Sequence, residues 1–216
     1  MIQIDYDKND KDFAEKLLTE LQTHTHEIMR FFNIKKVNNF KIKIWRDKQK
    51  YVNHLKTFLK NRPYQEWMIA HTYDGNINML AFDLVQKIEC HKDITTQEFI
   101  ENICHEFVHI CQKTVSENSS PQNDNGWYWE LLATVLGNPH NFDGWKIPDF
   151  SKYSLDDLKN RFDEIDGYPI VFYMGKYLLQ TKSPEQLVAW IKNDNQLDAD
   201  APTLYKETQK YYQKNN

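Results

Sequence analysis

Residues His105, Glu106 and His109 hold the densest reactive chemistry in this 216-residue chain, within the run His105-Glu106-Phe107-Val108-His109. On a helix, positions four apart differ by about 40° around the axis, so both imidazoles can reach one metal ion. Glu106 stands one step round, beside such an ion, where its carboxylate can accept a proton from an activated water. The trio therefore suits hydrolysis by a metal-activated water. Five residues in this pattern also arise by chance at a low level, so the surrounding segments must support the assignment.

A catalytic zinc needs a third protein ligand and leaves its fourth position to water. The longer metzincin pattern, with a glycine three residues after the second histidine and a histidine three beyond, is absent, because Gln112 and Val115 stand there. Two downstream residues compete. His140 lies in a Gly-Asn-Pro-His-Asn loop, where a histidine usually faces solvent or shapes a turn. Glu130 lies among Trp127, Trp129, Leu131 and Leu132, and a carboxylate in such an apolar stretch wants a cation. The interval from His109 to Glu130 suffices to end one helix, cross a loop and return antiparallel. Glu130 is the stronger candidate.

The elements that must position these groups can be read from periodicity. Apolar residues at three- and four-residue spacing predict a helix over 10–33, and alternation over 41–45 predicts a half-buried strand. Helical spacing returns over 49–59. The runs 67–73 and 77–82 flank Asp74-Gly75, a hairpin signal, since glycine accepts positive φ. Thr95 with Glu98 forms a capping box opening a helix over 96–114. Residues 113–126 form a polar loop, Asp124 or Asn125 caps a helix over 127–136, and Gly137-Asn138 is expected to end it in a left-handed stop. Further helices are expected at 155–162, 169–181, 184–193 and 203–212. His24 and His26, two apart on the first helix, face different ways and are not expected to share a ligand.

These residues resemble the gluzincin metallopeptidases, thermolysin-like in core, and especially the small peptidase MA-like group with a Trp-x-x-Glu-x-x-Ala third-ligand helix; Trp127, Glu130 and Ala133 match that pattern. The resemblance covers roughly 67–190. It implies a Zn2+ ion on His105, His109 and Glu130, with Glu106 as general base and Ala133 allowing the two ligand helices to approach. It further implies an edge strand at 76–82 that pairs with the substrate backbone. Tyr168, nine residues before Tyr177-Leu178, would stabilise the oxyanion, with Tyr173 as its rival. Leu131 departs from a frequent glycine, and Thr134 stands where thermolysin-type enzymes carry an aspartate that orients a zinc histidine. The partners of the histidine rings are therefore not legible. No Gly-x-Met-Glu-Asn segment supports an aminopeptidase.

The expected fold class is α+β: a small antiparallel or mixed β-sheet in the N-terminal half packed on helices, a mostly helical C-terminal half, and a zincin core. One domain over 1–216 is expected, an α/β part to about 94 and a helical part carrying the zinc site. A formal net charge of -4 lacks the basic excess of a nucleic-acid binder. The absence of an apolar run of membrane-spanning length, together with a polar start, predicts a cytoplasmic protein with no membrane partner. Cys90, Cys104 and Cys111 are expected to be buried free thiols. The functional expectation is a zinc metallopeptidase acting on a peptide or protein substrate. Its alternative is an inactive zinc-binding interaction or regulatory module.

Overall fold

The computed structural model describes residues 2–59, 63–117, 120–121, 124–138, 140 and 144–215. Its sheet is mixed, with strands β1 (Ile2–Asp5), β2 (Phe40–Trp45), β3 (Ala70–Tyr73) and β4 (Asn76–Leu80) in the order β1-β2-β4-β3. The first two pairings are parallel, and β3 runs antiparallel to β4. Strand β1 was not expected, since four residues beside an acidic stretch give too short an alternation to register. Helix α1 (Lys11–Phe31) supplies the long crossover that parallel β1 and β2 require. Helix α2 (Lys48–Leu59) then carries the chain from β2 towards β3.

The hairpin forms where Asp74-Gly75 predicts it. Both residues have positive φ, 48° and 70°, the pairing that a tight hairpin turn with right-handed strand twist demands. The edge strand, however, is Ala70–Tyr73 and not 76–82. Strand β4 lies inside the sheet, paired with β2 and β3, and its Ile77, Asn78, Met79 and Leu80 are all buried, whereas β3 mixes buried and accessible positions. Leu80 ends β4, and Phe82–Val85 forms the short helix α3.

Helix α4 (Thr96–Val115) starts at the anticipated capping box, with Thr95 Oγ1 accepting from Glu98 N–H and Glu98 accepting from Thr95 N–H. Such a cap contributes about 1 kcal/mol. The larger contribution is burial, since Phe99, Ile100, Ile103, Phe107 and Val108 are fully enclosed. α4 packs on α1, on β3 and β4, and on α5 (Gly126–Gly137). The C-terminal half continues through α6 (Leu155–Asn160), α7 (Gly167–Thr181), α8 (Pro184–Lys192) and α9 (Asp194–Asn215). The last helix begins earlier than the apolar spacing implied and includes Pro202. One apolar core spans both halves, from Ala14 on α1 to Tyr212 on α9. Among the described residues, no helix is long and apolar enough to cross a membrane.

Two local expectations fail for physical reasons. Asn138 after α5 has φ -137°, so no left-handed stop forms. Gly137 is instead a contact residue: a Cβ there would stand 2.3 Å from His105 Cα. The two helices therefore approach closely at Gly137, one turn beyond Ala133. Cys104 and Cys111 are buried free thiols as expected, but Cys90 is exposed. It sits in the short 3-10 turn Glu89–His91, none of which is buried.

Candidate metal centre

Helices α4 and α5 lie antiparallel, as His105 meets Gly137 at one end of the contact while Gln112 Nε2 donates to the Trp129 carbonyl at 2.8 Å at the other. This brings Glu130 opposite the two histidines. His105 Nε2 and His109 Nε2 are 3.2 Å apart. The Glu130 carboxylate lies 3.2 Å from His105 Nε2 and 3.6 Å from His109 Nε2. One ligating atom from each residue falls within 4.8 Å of the others.

The opposite faces of the rings decide what the centre can hold. His109 Nδ1 lies 2.7 Å from Gln112 Oε1, and the Gln112 amide nitrogen is already committed to Trp129, so the oxygen faces the histidine. His105 Nδ1 lies 3.2 Å from Asn138 Oδ1, while the Asn138 amide nitrogen donates to Asn102 Oδ1 at 3.3 Å. An amide oxygen only accepts, so both Nδ1 atoms carry the ring proton and both Nε2 atoms turn lone pairs inward. Two lone pairs facing a carboxylate at these distances are met by a cation, either a proton on one ring or a metal ion. Consistent with this, Glu130 Oε2 is buried and meets no donor in hydrogen-bond geometry. Two imidazoles and a carboxylate form a donor set that suits zinc.

The electrostatics agree. Burial pushes the Glu130 carboxyl up, but the charge of His109, the contact and charge of His105 and a hydrogen bond from the Tyr168 hydroxyl outweigh it and bring it down to about 2. Burial lowers His105, yet the facing Glu130 leaves its pKa raised. A positive charge is thus stabilised at the point where the three side chains meet.

Glu106 follows His105 on α4 and lines the same cleft. The Thr72 hydroxyl on edge strand β3 lies 2.8 Å from Glu106 Oε2 and 2.9 Å from its carbonyl. The edge strand and the ligand helix are therefore tied together at the residue suited to be the base. Tyr168 enters from the first turn of α7, its ring packed edge-on against Phe162 and Trp67 at 5.1 and 6.2 Å. Cavities of about 840 and 630 Å³ extend to the two sides of this point and share walls at Trp67, Ala70, His105, Glu106 and Tyr168.

The structure thus gathers His105, Glu106, His109, Glu130 and Tyr168 in one place. His140 does not join them: its Nδ1 is 2.7 Å from Glu101 Oε1 and its side chain is 70% exposed. Tyr173 donates its hydroxyl to the Trp145 carbonyl and lines neither cavity. Thr134 is fully buried and its hydroxyl has no partner among the described residues, so it does not replace the missing aspartate. That task falls to Asn138 and Gln112, which sequence reasoning missed. Gln112 carried a usable signal, three residues after His109 on the same helix face; Asn138 carried none, being 33 residues from the ring it orients. No family model, curated protein or solved structure matches this chain.

Proposed function

We propose that this protein is a zinc-dependent metallopeptidase of gluzincin type, with a thermolysin-like pairing of its ligand helices, acting on a peptide or protein substrate. The observation that carries this reading is the convergence of two histidine lone pairs and a carboxylate within 4.8 Å, beside a second carboxylate held by Thr72. His105, His109 and Glu130 would hold the zinc. When bound, the ion supplies a Lewis acid that polarises a carbonyl and lowers the pKa of water to about 7.

The remaining steps belong to the chain's own residues. Glu106 is the general base, taking the proton of the attacking water and returning it to the leaving amine. The Thr72 hydroxyl keeps that carboxylate turned into the cleft. Tyr168 exchanges its bond to Glu130 for one to the oxygen that becomes negative in the transition state. The outer edge of β3 offers backbone groups to an extended chain, which positions the scissile bond against Glu106.

Metal analysis of purified protein, with His105→Ala as control, tests the centre. Glu106→Gln tests the chemistry: it retains zinc and loses hydrolysis by about 10²-fold or more. Undiminished hydrolysis in that variant refutes the mechanism. A wild-type protein that holds zinc and cleaves no peptide supports the binding-module alternative.

A further inference from the structure

Glu101, His105, His109 and Lys113 recur every four residues and so form one stripe along α4. Lys113, half-buried, lines the 840 Å³ cavity beyond His109. The other cations of this arm are engaged: Lys159 Nζ lies 2.6 Å from Asp198, and Arg161 bonds Asp157 and Glu164, each at 2.9 Å. The Lys113 ammonium has no partner among the described residues, and Asp124, which lines the same arm, makes no ion pair with it.

The facing wall adds positive potential. Helix α5 begins there with Gly126 and Trp127. Asn125, at its N-cap position, makes no side-chain cap bond, and no atom of the described residues lies within 4 Å of where a Cβ on Gly126 would stand. The Gly126 and Trp127 N–H groups, which receive no cap from the Asn125 side chain, carry the partial positive charge of a helix start. The opposite arm is the more acidic of the two: Lys92 is paired with Glu89 at 2.7 Å, and Asp93 and Asp166 in its lining make no ion pair among the described residues.

We infer that the arm beyond His109 is a carboxylate-binding subsite centred on Lys113 and the start of α5, and that it selects peptides presenting a carboxylate there. The inference rests on the metallopeptidase reading of the cleft and names its substrate class. Lys113 lies about 6 Å along the helix from His109, the span of roughly two residues of extended chain, so the carboxylate sits a residue or two from the scissile bond. It comes from the peptide's own C-terminus or from an Asp or Glu side chain. Two charge-assisted contacts of this kind separate acid from amide by about ten-fold or more in affinity.

The test uses three pools of N-acetylated pentapeptides randomised without Asp, Glu, Lys or Arg: one with a free C-terminal carboxylate, one amidated, and one amidated with a single Glu. Zinc-loaded wild-type protein, Lys113→Gln and Lys113→Arg are each immobilised and the retained peptides quantified. The expected result is at least ten-fold enrichment of one acidic pool over the amidated pool. Enrichment of the first pool assigns a terminal carboxylate and of the third a side chain. The ratio falls towards one in Lys113→Gln and is kept by Lys113→Arg. No retention, equal retention of all pools, or enrichment that survives Lys113→Gln overturns the inference. Cleavage of the pools is scored separately. Hydrolysis without acid preference removes the subsite and leaves the peptidase, whereas acid preference without hydrolysis keeps the subsite and removes the peptidase.

Discussion

Two histidines in this molecule are almost equally buried and respond in opposite senses. His71 on β3 is 7% exposed and His105 on α4 is 8% exposed. Burial, helped by the nearby His54, pushes His71 down to about 3; His105, equally desolvated, is raised because Glu130 faces it. His71 meets the Tyr51 hydroxyl at 3.1 Å and the His54 ring at 5.5 Å between centroids. Burial alone expels the charge from an imidazole, and a carboxylate across from the ring reverses the sign. The difference separates a histidine enclosed in the core from one that faces a carboxylate.

The sharpest way to break this comparison is to remove the carboxylate. Glu130→Ala should lower zinc affinity by more than about 10³-fold, measured by competition with a chelator, while His71→Gln leaves affinity within a few-fold. Equal losses in the two variants would erase the distinction between the clusters.

Acid titration probes the other histidine. Because the folded-state pKa of His71 lies near 3 and the unfolded value is near 6.5, the unfolded chain takes up the proton first. The stability from keeping His71 neutral is full above pH ~6.5 and is lost as pH falls from there towards 3. The loss is on the order of 5 kcal/mol. Denaturant titrations of wild type and His71→Gln should diverge across that window; parallel curves would contradict the burial argument.

The next effect concerns the packing that sets the centre's geometry. Gly137→Ala would gain about 1 kcal/mol of helix propensity, but its new Cβ meets the His105 backbone, and prying two packed helices apart costs about 2 to 3 kcal/mol. A net fall in melting temperature, with weaker zinc binding, is the expected outcome. A rise would mean that the helices slide apart at little cost.

The smallest effect belongs to the amide supports. Gln112→Leu and Asn138→Leu should each reduce zinc affinity by roughly 10- to 100-fold. Gln112→Leu has the larger effect, because Gln112 also holds the Trp129 carbonyl beside Glu130. Unchanged affinity in both would show that packing alone orients the rings.

Much of the scaffold was legible in the chain itself because its signals are local. The Thr95 and Glu98 cap, the Asp74-Gly75 turn and the apolar period of α4 each involve residues within a few positions of one another, so their geometry follows from backbone preference. The same holds for His105, Glu106 and His109, whose relation is set by helical pitch. Strand β1 escaped notice because a parallel strand is defined by its partner, here Phe40–Trp45. Which strand of the hairpin forms the sheet edge was misjudged for a similar reason: β4 is interior because β2 pairs with it.

The sequence by itself determined the helix, its cap and two of the three residues of the candidate metal centre, through interactions that repeat along one backbone. Only the tertiary structure decided that Glu130 faces those histidines, that Asn138 and Gln112 fix their protons, and that Thr72 holds Glu106. The physical reason is one contact. Gly137 lets α5 lie against the His105 backbone, and that approach turns residues distant in the chain into neighbours.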